Sequence, residues 1–453
     1  MMGPGTATGG SGSEDAPAFN ASGNVTGRPD RSAASVARAR SGGPFSALRT
    51  PSFAWYLTGA TLTNAATWIQ NITVSWLVYD LTSSGTMLGT LNLVRTIATL
   101  GLATVAGVAV DRRSRRTLLY ATNAWFLLAC FSVGLVLLGN PGVVWPVFLF
   151  NLLNGIGQAV SAPLGQTVVF SIVPRSEAPN AVALVHTGWA VMRSIGPAIG
   201  GLLLLWFGPA GNFFAQAAAY ALVVLTVAKL KLPSDRPSAA ADNARGTFRE
   251  GWAYLASEPT TLAFLMMSWA LPLLIIPIFS ALPPIYAKDV FSGGPDTLGV
   301  LMSAMGIGGI AGGFLIASLD RIDRRGLLQN AALLLISLAF VAFALSPTWW
   351  MAVVAIALAG LFEMVYITTN QTLIQLSIPD ELRGRVTSIV NLKSALTPVG
   401  ALIAGFAADL VGPRTTTLIF AATIAAVAIA VTGGSSLVRD YRLSRTMAEE
   451  TVP

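Results

Sequence analysis

Four ionisable side chains lie inside long apolar runs of this chain: Arg95, Arg193, Glu363 and Lys393. A charge held in hydrocarbon is costly and marks a path for an ion, a proton or a polar solute. Glu363 reads as the only carboxylate deep within such a run. A buried carboxyl group tuned by a nearby cation can take up and release a proton. Lys393, on the next run, is its expected partner. Solute contact and a purely structural ion pair stay open as alternatives for Glu363. A second kind of chemistry lies between the runs. Asp111-Arg-Arg-Ser-Arg-Arg116 and Asp320-Arg-Ile-Asp-Arg-Arg325 share the pattern D-R-x-x-R-R, 209 residues apart. A carboxylate is stabilised at a helix N-terminus, where free N–H groups and the dipole are positive. Asp111 and Asp320 are thus candidate latches. Arg113 and Arg116 read as membrane-surface anchors.

The elements that hold these groups must be membrane helices. Of 453 residues, 53% are hydrophobic and only 11% charged, where a soluble domain carries about 25% charged. Mean hydropathy is +0.65. Apolar runs of about 20 residues recur, enough to cross a roughly 30 Å hydrocarbon core as helices. Backbone polar groups cannot be left open there, and the ~10-residue alternating segments of a membrane barrel are absent. The spans are expected at about 53–79, 86–107, 117–139, 144–170, 181–207, 210–230, 259–287, 297–318, 326–346, 349–376, 385–408 and 414–437. Short turns at Asn140-Pro-Gly, Gly208-Pro, Ser346-Pro and Gly412-Pro separate several of them. One long polar break divides the spans six and six. This gives a tail over 1–44, a six-helix bundle over 45–230, a linker over 231–258, a second bundle over 259–438 and a tail over 439–453. Residues 1–44, rich in Gly, Ser, Ala, Pro and Thr, are expected to be disordered. Within the linker, 247–258 could form a surface helix with Phe248, Trp252 and Leu255 on one face.

Charge placement sets the orientation. With both termini cytoplasmic, 23 of the 28 Lys and Arg lie inside, Lys288 and Arg414 lie outside, and three sit within spans. This is the positive-inside bias. It accounts for the net charge of +7 without nucleic acid and requires an even number of spans. One cysteine, Cys130, and one histidine, His186, exclude a disulfide framework and a His-based metal cluster. No G-x4-G-K-[ST] loop occurs, so ATP-driven transport is not expected. No nucleophile–base arrangement stands out, and neither an enzymatic reaction nor a cofactor is expected.

The repeat extends beyond the charged loops. Val173-Pro174 and Ile378-Pro379 precede spans five and eleven, 205 residues apart, and Gly208-Pro209 and Gly412-Pro413 end them, 204 apart. Parallel six-span repeats related by an axis along the membrane normal typify one transporter class. Gly107-x3-Asp111-Arg112-x2-Arg115-Arg116 resembles the loop 2–3 signature of the major facilitator superfamily, and the resemblance covers 45–438. Further cues resemble its siderophore and macrolide exporter branch: Phe45-x-Ala-Leu-Arg49, Thr67-Trp-Ile-Gln70, Gly155-x-Gly-Gln-Ala159, Arg193-x2-Gly-Pro197 and Pro379-Asp-Glu-Leu-Arg-Gly-Arg385.

That resemblance implies an all-α membrane fold of twelve transmembrane helices in two pseudo-symmetric six-helix bundles. Spans 1, 4, 7 and 10 would line a central cavity, 2, 5, 8 and 11 would meet across the halves, and 3, 6, 9 and 12 would face lipid. It implies gate roles for Gly107, Asp111, Arg112, Arg115, Asp320, Arg321 and Arg324. Asp111 would sit near the start of span eleven and Asp320 near that of span five. Gly107 would let two helices approach closely, and Arg112 could pair with acids of the other half. Gly196, Pro197, Gly200 and Gly201 resemble an antiporter motif, with close helix packing and gating both open. Cavity candidates are Gln70, Asn71, Arg95, Asn151, Asn154, Gln158, Arg193, Trp269, Glu363 and Asn370, with Gln371 and Gln375 beside them. Amides near aromatic and Met side chains suit a large amphiphilic solute; interhelical hydrogen bonding is the alternative. His186 falls at an interface, with a proton role as a secondary reading. Proton-coupled drug antiporters of the superfamily carry an Arg in span four where this chain has Asn151, so coupling must run through Glu363, Lys393 or Asp111. The expected function is proton-coupled export of small amphiphilic molecules of drug, macrolide or siderophore type. An uptake permease or a non-transporting receptor are the alternatives. Expected partners are a small-molecule substrate, protons and the bilayer, with no nucleic acid, and the chain is expected to act as a monomer.

Overall fold

Among the described residues, twelve long helical segments follow one another, most of them joined by short turns, as the apolar runs require. The computed structural model describes residues 43, 45–230, 232, 247–319, 322–379 and 382–434. The side chains of Asp111, of 247–251, 383–385 and 432–434, and of Ser388 and Ser394 fall outside that description. So do both expected tails but for Gly43, most of the linker, Asp320 and Arg321. Two units are distinguished, 1–46 and 47–453, and every long helix belongs to the second.

The first six spans are α1 (Pro51–Thr82), α2 (Gly85–Arg112), α3 (Arg115–Gly139), α4 (Trp145–Ile172), α5 (178–207) and α6 (209–228). Gly208, at φ 65° and ψ −176°, breaks the last two apart. A side chain is strained at that φ, and Pro209 then starts a new helix where its missing N–H does no harm. Gly412 repeats the device at φ 84°, followed by Pro413. The short helix α7 (Thr247–Ser257) precedes the second set: α8 (Pro259–Val290), α9 (Pro295–Ser318), α10 (Arg325–Leu345), α11 (Trp349–Leu376), α12 (383–411) and α13 (Pro413–Gly434).

Nine helices among the described residues are long and apolar enough to cross a membrane, and one of them is the joined α5–α6. The two other spans depart for physical reasons. Polar residues such as Thr63, Asn64, Thr67, Gln70 and Asn71 line cavities along α1 and lower its hydropathy. A 3-10 turn at Leu392–Leu396 interrupts α12, so only Thr397–Val411 remains as an apolar stretch. In α8, Pro272, Pro277, Pro283 and Pro284 interrupt the regular ladder, and wide turns at Leu271–Ile275 and Tyr286–Val290 absorb the mismatch.

Packing follows the expected pairing. α2 lies against α12, and α5 against α9. Large apolar side chains such as Leu128 and Leu138 of α3, Leu222 and Leu225 of α6, Leu338 of α10 and Ile429 of α13 face outward, as lipid contact requires. α7 docks by Leu255, which is buried with Phe264, Leu373, Ile378 and Val386, and the Tyr254 hydroxyl donates to the Ser377 carbonyl at 2.7 Å. Trp252 is half exposed, so the expected three-residue face narrows to Tyr254 and Leu255. Phe248 lies outside the described side chains.

Candidate substrate cavity and gates

Two ends of the bundle can be told apart by chemistry. The basic end carries Arg112–Arg116, Arg175 and Arg324–Arg325. The opposite end carries the turns at 83–84, 140–144, 291–294 and 346–348 with Gly208 and Gly412.

The opposite end is closed. The Asp409 carboxylate of α12 accepts hydrogen bonds from the backbone N–H of Gly85 at 2.6 Å and of Thr86 at 2.9 Å. The Ser84 and Thr86 hydroxyls also donate to it, at 3.0 and 2.6 Å. An acid thus sits on the N-terminus of α2, where the free N–H groups need an acceptor. Gly85 and Gly405 let the two backbones touch: a Cβ on Gly85 would lie 2.5 Å from the Gly405 carbonyl oxygen. Lys288 of α8 bonds the Asp80 carboxylate of α1 at 2.7 Å, and Tyr79 donates a short hydrogen bond to Asp289. Between α5 and α9, a Cβ on Gly299 would meet the Pro197 carbonyl at 2.7 Å, and Ala198 N–H donates to the Ser303 hydroxyl at 2.9 Å.

The basic end is more open. Among the described residues, no heavy atom would lie within 4 Å of a Cβ on Gly101, Gly107 or Gly313. The close approach expected at Gly107 is not present among the described residues. Arg112 is exposed and has no acidic partner among the described residues. Arg116 donates to the Ala228 carbonyl at 3.1 Å, at the C-terminus of α6. Arg115 is half-buried and Arg324 exposed. Asp320, Arg321 and the Asp111 side chain lie outside the described residues.

Between these ends lies a cavity of about 350 Å³. Of the expected amides, Gln70, Asn71 and Asn151 line it, with Asn92 beside them, as do Arg95, Arg193 and Glu363. Trp68, Trp189, Phe279, Met302 and Met305 supply its apolar wall. Arg193 Nη2 donates to Glu363 Oε2 at 2.7 Å, and both residues are buried. The expected partner of Glu363 is thus corrected: it is Arg193 on α5, while Lys393 sits half-buried on the 3-10 turn of α12 and away from the cavity lining. The backbone around Arg193 explains the meeting. Pro197 cannot donate to the Arg193 carbonyl, and that carbonyl faces Gly306, at 2.7 Å from where its Cβ would stand. Arg193 therefore sits where α5 and α9 cross, and its guanidinium stands over Trp189 at 5.5 Å.

A second, wider cavity of about 650 Å³ lies among α1, α3, α4, α5 and α6, and shares Trp189 with the first. Gln158 and His186 line it, with Tyr56, Asn64, Asn123 and Gln166. Other expected cavity residues are placed elsewhere. Asn154 donates to Gln70 at 3.1 Å, joining α4 to α1. Asn370 donates to the Phe264 carbonyl at 3.1 Å, joining α11 to α8. Gln371 and Gln375 are exposed, and Trp269 lines neither cavity; Ile276, Phe279 and Ser280 take its place on α8. Gly196 and Gly200 lie against Trp68 and Ile69 of α1, and Gly201 against Pro295 of α9, so this run is a packing surface on two sides. Sequence reasoning missed Asp80, Asp289 and Asp409. Their one signal is that they are acids at the span ends away from the basic loops.

The same architecture recurs in solved transporters. A D-xylose-proton symporter matches with a TM-score of 0.68 over 86% of this chain and 99% of its own, at 13% identity. A bacterial homolog of the human lysosomal transporter spinster, in an inward-facing and unoccupied conformation, matches with a TM-score of 0.64 over 88% and 98%, at 16% identity. At these identities the agreement concerns the fold. Among sequence relatives, the staphyloferrin A transporter of Staphylococcus aureus is 25% identical, covering 76% of this chain and 86% of that protein. The multidrug efflux pump Tap of Mycolicibacterium fortuitum is 25% identical over 80% and 90%, and the enterobactin exporter EntS of Shigella flexneri 26% identical over 66% and 71%. The family model for transmembrane secretion effectors matches residues 42–452. This multi-pass membrane protein belongs to the transmembrane secretion effector family of the major facilitator superfamily.

Proposed function

We propose that this chain is a secondary exporter of small amphiphilic molecules, working by alternating access and coupled to proton entry. The relatives that carry siderophores or several drugs support the class of cargo. The observation that carries the mechanism is the buried Arg193–Glu363 pair, which ties α5 to α11 in the wall of the central cavity. Protonating Glu363 dissolves the charge pairing and frees Arg193, so proton binding changes what holds the halves together.

The halves are read as 45–230 and 259–438 around the linker 231–258. The 23-to-2 distribution of Lys and Arg supports a cytoplasmic basic end with both termini on that side. The conformation described is then inward-facing, shut outside by the Asp409, Lys288 and Tyr79 contacts. In the outward-facing state the basic end closes instead, with Gly107, Asp111 and Asp320 at the contact. The chain acts as a monomer.

The test is accumulation of a panel of fluorescent amphiphiles in energised inverted membrane vesicles. Export predicts accumulation that a protonophore abolishes. Movement in the reverse direction would make the chain an uptake permease. Unchanged gradient-driven transport by Glu363→Gln would remove the proton role.

A further inference from the structure

Three charged side chains line the central cavity, and they do not balance. Arg193 and Glu363 neutralise one another at 2.7 Å. Arg95 has no such counterpart. No other carboxylate lines the cavity, and the Arg95 side chain makes no hydrogen bond, ion pair or ring contact among the described residues. Among the described residues, no Asp or Glu lines the adjoining wide cavity. A guanidinium stays protonated in a protein, so Arg95 has no neutral form to fall back on. Intramembrane charges are otherwise met by a partner or by a bound ligand.

Arg95 is also held in place. The α2 backbone at Arg95 touches Gly155 of α4, where no side chain fits. The Thr99 hydroxyl lies 2.9 Å from the Arg95 carbonyl and 3.1 Å from the Gly155 carbonyl. The backbone that carries the guanidinium is thus fixed on one wall, while Trp68, Trp189, Phe279, Met302 and Met305 offer an apolar surface to the same cavity.

We infer that Arg95 receives an anionic oxygen group of the cargo, and that the transported amphiphiles carry a carboxylate or an equivalent oxyanion. This rests on the transporter reading of the cavity and adds the sign of the substrate's charge. The fork of a guanidinium accepts a carboxylate in two parallel hydrogen bonds. The apolar body of the molecule then lies on the indoles and thioethers.

The experiment uses the full chain in lipid nanodiscs, in low-chloride buffer, with three matched probes: naphthylacetate, its amide and the corresponding amine. Thermal stabilisation is titrated for each. The anion is expected to act at about tenfold lower concentration than the amide or better, the worth of one charge-assisted contact, and the amine to be weakest. Arg95→Gln should erase the difference and Arg95→Lys should retain part of it. Equal response to the three probes, preference for the amine, no response to any probe, or an anion preference that survives in Arg95→Gln would each overturn the inference. Chloride titrated alone separates the two sources of anion. An Arg95-dependent shift as large with chloride as with naphthylacetate would make this an inorganic-anion site and overturn the cargo assignment. The exporter reading is judged separately by vesicle accumulation of a panel of anionic, neutral and cationic dyes in the unmodified protein. Dye accumulation with charge-blind binding would sink only the anion inference, and absence of accumulation of any dye would sink both.

Discussion

Replacing Glu363 by Gln removes the partner of a nearly buried cation. Arg193 is 8% exposed and Glu363 4%. With charge centres about 4 Å apart, the attraction is roughly 4 kcal/mol at an effective dielectric of 20. Removing one partner strands the other, at about 3–5 kcal/mol. The Trp189 ring 5.5 Å from the guanidinium returns about 1 kcal/mol. Glu363→Gln should therefore destabilise the fold by about 2–4 kcal/mol. Arg193→Gln should do about the same. The double variant strands no charge, so its destabilisation should fall short of the sum by about 2 kcal/mol or more. The assay is a double-mutant cycle from unfolding in mixed micelles, followed by tryptophan fluorescence near neutral pH. Strict additivity would refute the pairing as an energetic unit, whatever the distance between the atoms. The same three variants in proteoliposomes should lose gradient-driven transport, because the proton-accepting carboxylate or its counter-cation is gone.

The remaining predictions concern the two ends. Asp409→Ala removes an acceptor of four hydrogen bonds at the start of α2; losing about 1.5–3 kcal/mol should raise the share of molecules open at that end about tenfold or more. Distances between spin labels on the 140–144 and 346–348 turns measure this, and an unchanged distribution would count against the latch. Gly405→Val places a side chain into the Gly85 backbone, so closure at that end should be lost outright and the outward-open form should dominate. Gly107→Leu meets no neighbour among the described residues: thermal stability of the conformation described should stay within about 0.5 kcal/mol while transport falls sharply. Normal transport by that variant would mean that α2 makes no close contact in either state.

Much of the fold was legible because hydrocarbon imposes it. Length and apolarity marked the spans, and Gly208-Pro209 and Gly412-Pro413 marked matching breaks whose backbones turn out to share a positive φ. The site was legible in part. Arg95, Arg193 and Glu363 stood out as charges in oil and do line one cavity. Their pairing was not legible. Glu363 met Arg193 across 170 residues because Pro197 and Gly306 bring α5 and α9 together, a matter of backbone approach that no charge pattern encodes. Lys393, nearer in sequence, lies on the irregular turn at 392–396 and is not among the residues that line the cavity. The amides divide for the same reason: Gln70 and Asn154 satisfy each other, and only three-dimensional neighbours decide whether an amide faces solute or helix. The latch chemistry was expected at Asp111, whose side chain lies outside the described residues; among those described, a carboxylate that rests on a helix start is that of Asp409, at the other end.

The turns at the far end are short: two residues at Ser83–Ser84, three to five at 140–144, 291–294 and 346–348, and a single glycine at Gly208 and at Gly412. A molecule built this way offers the aqueous phase at that end only small epitopes. Antibody fragments raised against the intact protein should therefore map mostly to the basic end, which carries α7 and Arg112–Arg116. Insertion of a surface tag would face the same geometry. A peptide spliced at Gly208 or Gly412 must replace a left-handed residue between two helices.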